Sequence, residues 1–178
     1  MEENFPPRKR KTENRSFRIS SEVLEGLEDE AERKKVSVNT LVNQLLADYI
    51  NVRRHRLRLG SLSMSVTAFK LIIAATSDQD IIGAGATAGR SVPRAYASSK
   101  WGEESAKNVM SFIKENASVT GLYDYSESPN TPGAITLTHP FGRKWSLYLA
   151  SFCEAAFEDA GEKVRSEVSD QAVVLKLP

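Results

Sequence analysis

Residues 14–52 read NRSFRIS (14–20), SEVLEGLEDEAERKKVS (21–37) and VNTLVNQLLADYINV (38–52), and their spacing decides the fold of the N-terminal part. Phe17 and Ile19 are apolar while Ser16, Arg18 and Ser20 are polar, a period of two that predicts a short half-buried strand. Ser20 then stands where a helix cap belongs, with Glu22 and Glu25 in the first turns. Val23, Leu24, Leu27 and Ala31 follow helical spacing, and Arg33-Lys34-Lys35 fill the last turn, where cations suit the helix dipole. Ser37 opens a second helix whose apolar face is Val38, Leu41, Val42, Leu45, Leu46 and Tyr49, the clearest periodic signal in the chain. One strand and two helices of this length bury too little apolar surface to fold alone. A lone strand also lacks a hydrogen-bonding partner. Both deficits vanish if two copies pair their strands antiparallel and interlock their helices, so the order of elements predicts an obligate dimer.

Charge supports a polyanionic partner for this region. The net charge of +1 hides a split: residues 1–60 carry 13 Lys+Arg against 10 Asp+Glu, and residues 61–178 carry 11 against 13. Arg8, Lys9, Arg10, Lys11, Arg15 and Arg18 crowd one short stretch, opposed by Glu13 alone. Residues 1–13 hold Pro6-Pro7 and little apolar matter, which predicts a basic flexible arm. Residues 53–60 carry a second basic knot, Arg53-Arg54-His55-Arg56-Leu57-Arg58. It reads either as an extension of the second helix or as a basic linker to a further domain.

The order S-F-R-I-S, S-E-V-L-E-G-L-E-D-E-A, V-S-V-N-T-L-V-N-Q-L-L-A-D-Y-I resembles a ribbon-helix-helix domain of the MetJ/Arc type over residues 14–52. The resemblance implies an intermolecular two-stranded ribbon that enters the DNA major groove. Ser16 and Arg18 would then face base edges, with Asn14 and Ser20 as outer readers. Phe17, Ile19, Leu24, Leu27, Leu41, Leu45 and Tyr49 would form the dimer core. Amides near Ser37, Val38 and Asn39 would anchor phosphate at the second helix's N-terminus, joined by Arg8, Lys9, Arg10, Lys11, Arg15 and Lys35. Lys35 stands where such domains often carry glycine, which leaves two readings: a different turn, or a strained lysine that repays its cost in phosphate affinity.

Residues 61–178 predict an α+β domain with an antiparallel sheet, for oligomerisation or sensing. Ser61 to Val66 alternates like a strand, and Thr67 to Thr76 has a short apolar helix pattern. Residues 77–102, rich in Gly, Ala and Ser, have no clear element. Helices are expected over 103–117 and 143–160, strands near 121–126 and 134–139, and a closing hairpin over 163–177. Gly83-Ala-Gly85-Ala-Thr-Ala-Gly89 has the text of a dinucleotide fingerprint without its strand, and Pro93 would interrupt its helix, so loop or close helix packing is the better reading. At the turn His139-Pro-Phe-Gly-Arg-Lys-Trp-Ser146, Arg143, Lys144 and Trp145 stand at a helix start. They are candidates for holding a small anionic effector.

Composition closes off other classes. Cys153 is the single cysteine and only His55 and His139 join it, too few soft ligands for a transition-metal site. No apolar run approaches a membrane span, no cofactor is implied, and no catalytic constellation is evident. The expectation is a cytoplasmic, nucleoid-associated, homodimeric transcriptional regulator of prokaryotic style. By its resemblance it is a repressor, binding double-stranded DNA and no membrane. The alternatives are an antitoxin or plasmid-maintenance protein, and an architectural DNA binder without sequence preference.

Overall fold

A computed structural model of the single chain describes residues 12–60, 63–128 and 133–177. Arg8, Lys9, Arg10 and Lys11, most of the expected basic arm, lie outside the described residues. Two compact units divide at Leu46/Ala47.

In the first unit, residues 12–20 have no regular secondary structure and lead into α1 (Ser21–Arg33) and α2 (Val38–Asp48). Both helices fall where the apolar periodicity puts them. Residues 14–20 form no ladder in the single chain, because among the described residues no other strand pairs with them. Between the helices the Val36 amide reaches the Ala31 carbonyl and the Lys35 amide the Glu32 carbonyl, each at 3.0 Å. This pair of bonds closes a helix end around a left-handed residue. That residue is Lys35, at φ +54°.

The second unit begins inside the helical run. After α2 the backbone widens into a π turn (Tyr49–Arg53) and tightens again as α3 (Arg54–Arg58). Residues 53–58 are therefore helical, the first of the two readings of the basic knot, and His55 and Val52 are buried. Helix α4 (Val66–Ala75) follows, capped by Ser65, so the alternation over 61–66 produces no strand within its described residues 63–66.

Helix α5 (Asp78–Lys100) corrects the expectation of an ill-defined segment. Ser77 caps it by accepting the Asp80 amide at 3.1 Å. Gly85 and Gly89, one turn apart, lie against α7 (Arg143–Asp159) so closely that a Cβ on either would strike a backbone carbonyl, that of Tyr148 or Phe152. The small residues that weaken helix propensity locally are what permits this contact, and tertiary packing makes the helix. Pro93, expected to interrupt, is buried within it.

Helix α6 (Ala106–Thr120) ends on Gly121 in the left-handed conformation. Strands β1 (Asp124–Glu127), β2 (Ala134–Thr138), β3 (Arg165–Val168) and β4 (Ala172–Lys176) form one antiparallel sheet in the order β1-β2-β4-β3. In register, Ile135 faces Leu175 and Leu137 faces Val173, and all four are buried. They join Phe112 and Ile113 of α6 and Leu149, Phe152, Ala156 and Phe157 of α7 in one core. This is the expected α+β class with an antiparallel sheet.

Candidate nucleic-acid interface

Residues 14–20, which alternate polar and apolar in sequence from Ser16 on, are all exposed. Asn14, Ser16, Arg18 and Ser20 are exposed, and so are Phe17 (74%) and Ile19 (47%). Exposed polar side chains need no explanation, whereas two large apolar ones on adjacent alternate positions do. Ser20 takes the N-cap position of α1 at φ −65°, ψ 150°, but its hydroxyl makes no capping bond, a correction to its expected role. The Arg18 guanidinium makes no hydrogen bond or ion pair among the described residues. Arg15 is engaged locally, donating to Glu13 at 3.1 Å and to the Asn14 carbonyl at 3.3 Å. Such an exposed pair is worth little and does not prevent a phosphate contact.

The start of α2 is built as a cap. The Ser37 hydroxyl accepts the Thr40 amide at 3.1 Å and shares a 2.8 Å hydrogen bond with the Thr40 hydroxyl. The Thr40 amide is thereby satisfied, and the Val38 and Asn39 amides remain as the donors of the first turn. Asn39 itself is tied back along the helix, its carbonyl accepting the Asn43 side-chain amide at 2.8 Å. The exposed, left-handed Lys35 precedes this cap by two residues.

The residues expected in a dimer core fall into a pattern. Leu41 is buried in the single chain and Leu27 half-buried, while Phe17, Ile19, Leu24, Leu45 and Tyr49 are exposed. Val23 and Leu46 add to the uncovered apolar surface.

The second expected site is differently occupied. Lys144 donates to the Ala74 carbonyl at 2.8 Å and the Thr76 carbonyl at 2.6 Å, closing the C-terminus of α4. Trp145 is buried, and its indole N–H donates to the Leu122 carbonyl at 3.0 Å. Both side chains are thus structural ties, and Arg143 alone of the three is exposed. No family model, curated protein or solved structure matches this chain.

Other reactive side chains are also held by packing. His139 is buried, its Nδ1 accepting the Phe141 amide at 3.2 Å while Nε2 lies 2.8 Å from the Ser146 hydroxyl. A ring nitrogen that accepts a backbone N–H carries no proton, so the neutral tautomer donates from Nε2 to Ser146. Burial lowers the His139 pKa and reinforces that state. Cys153 is fully enclosed, and burial pushes its thiol well above the ordinary range, so it stays protonated. Among the described residues no group of three or more His, Cys, Asp or Glu side chains is placed to hold a metal ion. No described helix is long and apolar enough to cross a membrane.

Sequence reasoning did not foresee the ion pairs that fasten α5. Arg94 bridges Glu104 at 2.9 Å and Asp159 at the end of α7. Tyr96 donates to Glu115 at 2.8 Å, which also receives Lys100 at 2.6 Å. The spacing of these residues along the chain, ten to 65 positions apart, leaves no local signal.

Proposed function

We propose that this chain is a homodimeric, sequence-specific DNA-binding regulator of ribbon-helix-helix type. Segments 14–20 of two copies would pair and enter the major groove. The observation that carries the reading is the exposure of Phe17 and Ile19, alternating in sequence with the exposed Ser16, Arg18 and Ser20, in a segment that pairs with nothing among the described residues. Pairing with a second copy would give the segment its backbone hydrogen bonds and cover Phe17 and Ile19. Val23, Leu24, Leu45, Leu46 and Tyr49 would close over them. The polar side would then form a four-residue reading edge, doubled by symmetry. Arg18 supplies a fork that matches guanine, and the serines and Asn14 less discriminating contacts.

Lys35, the Val38 and Asn39 amides and Ser37 give each copy a phosphate anchor at a fixed offset from the ribbon. Arg8, Lys9, Arg10, Lys11 and Arg15 add sequence-independent attraction. Because two identical strands related by a two-fold axis make up the ribbon that reads the duplex, the operator would be a short pseudo-palindrome. Occupancy of such a site near a promoter represses by exclusion.

Selection of bound fragments from a random DNA library, run with wild type and Arg18→Ala in parallel, tests the reading. A short symmetric motif is expected, and it should blur in the variant, which loses about 1–3 kcal/mol at the selected site. Uniform, salt-sensitive enrichment would replace regulation with an architectural role, and no enrichment would remove DNA from the account. Deleting residues 1–12 should instead weaken every sequence alike and reduce the salt slope by about 0.9 for each phosphate the arm neutralises.

A further inference from the structure

We propose that the second unit carries a binding site for a small aryl-alkyl carboxylate, in a solvent-open cleft of about 720 Å³ lined by α3, the start of α4 and the end of α6. Every residue of its wall lies in the second unit, so the site stands apart from the DNA-binding reading and does not depend on it.

The size is that of small-molecule sites, which run from about 300 to 1,000 Å³. The apolar wall sets two aromatic rings among Met64, Val119 and Leu122. Phe69 and Phe141 meet edge to face with centroids 5.1 Å apart, and Trp145 backs Phe69 at 4.8 Å. At the rim Leu57 and Val66 are each more than half exposed, apolar surface that a bound ring would take out of water. A wall with two aromatic rings and an aliphatic rim fits a flat ring on a short chain.

The uncharged polar lining is Ser63, Ser118 and Thr120. Ser118 donates to the Glu115 carbonyl at 2.7 Å and Thr120 to the Asn116 carbonyl at 2.8 Å, so both hydroxyls are already engaged along α6. The charged lining consists of Arg53 and Arg56, three residues apart on one helical face, and Asp48. Two guanidinium groups against one carboxylate leave a single positive charge, the complement of a monoanion. Arg53 makes no side-chain hydrogen bond or ion pair among the described residues, and it lies in the π turn. A π turn inside an α-helix is frequently found at a binding site. Arginine pairs a carboxylate through two parallel N–H donors, which an uncharged amide cannot match. The candidates Arg143 and Lys144 contribute nothing to this wall.

Calorimetric titration of the full chain with 4-phenylbutyrate and with its uncharged twin 4-phenylbutyramide tests the site. Amide chemical shifts recorded during the titration locate it. The acid should bind about tenfold more tightly than the amide, the usual value of one charge-assisted pair. Perturbations should gather at Val66–Phe69 and Thr120–Leu122. Arg53→Gln, an exposed position whose change leaves the core intact, should remove most of that preference while sparing the amide. Leu57→Glu, which removes apolar rim surface and sets a carboxylate there, should weaken both ligands, the acid more than the amide. Equal binding of acid and amide, shifts gathered elsewhere, unchanged preference in Arg53→Gln, or no heat at millimolar ligand would each overturn the proposal.

Discussion

The two units handle apolar surface in opposite ways. In residues 47–178 the sheet, α6 and α7 share one continuous core, with Ile113, Leu137, Ala156, Val173 and Leu175 wholly enclosed. In residues 1–46 the buried hydrophobic residues among those described are Ala31 and Leu41. Fixing one residue's backbone costs about 1–2 kcal/mol, and fully burying one large apolar side chain returns about 1.5–3 kcal/mol. On that scale the second unit has a core that can offset its ordering, whereas the described residues of the first bury little toward it. One polypeptide thus contains a domain with a continuous core and a part whose described apolar surface is largely uncovered, the surface the proposed dimer would bury.

Leu45→Asp presses hardest on this contrast. Leu45 is half exposed in the single chain, so a charge there costs little if the chain acts alone. If Leu45 belongs to a shared core, the buried charge costs about 3–5 kcal/mol per copy. Sedimentation should then show loss of the dimer together with DNA binding, while the second unit keeps its thermal transition. A variant that remains dimeric would break the comparison.

Gly89→Val makes the reverse cut. Its side chain would be driven into the Phe152 carbonyl, and overpacking of this kind costs about 3 kcal/mol. Differential scanning calorimetry should show the second unit's transition lowered, while sedimentation of the folded variant still shows the dimer. A smaller, third effect is pH dependence. Desolvation lowers the pKa of both histidines, with Arg54, Lys100 and Arg58 adding to the effect at His55. The unfolded chain therefore takes up protons first, near pH 6.5, and stability should fall as pH drops below that value until the folded histidines protonate too. Urea titrations between pH 7.5 and 5 read this slope, which His139→Asn should flatten.

The smallest effect is at the turn between α1 and α2. Lys35→Gly relieves a left-handed lysine and should stabilise the first unit by about 1 kcal/mol. If Lys35 touches phosphate, the same change lowers DNA affinity, and fluorescence anisotropy would show stability and binding moving in opposite directions.

Much of this was legible in the sequence where side chains repeat with a period. The apolar stripes of α1, α2, α6 and α7 and the alternation over 165–176 place those elements within a few residues of their observed ends. Helix α5 was not legible, because its contact face is glycine and alanine and carries no apolar period. The available signal was the four-residue spacing of Gly85 and Gly89. The polar edge of residues 14–20 follows from alternation alone. Lys144 and Trp145 looked like ligand contacts because nothing local discloses the carbonyls of Ala74, Thr76 and Leu122 that occupy them. The cavity was invisible for the same reason, its wall being drawn from four separated segments.

The sheet's two outer strands have a bearing on the behaviour of the protein at high concentration. Strands β1 and β3 are four residues long, and they carry Asp124 and Glu127 on one border and Arg165 and Glu167 on the other. Short, charged borders are poor templates for another strand. Growth of copies into fibrils through this sheet is thereby discouraged, and in the proposed dimer the strand one copy adds to another would be residues 14–20 instead.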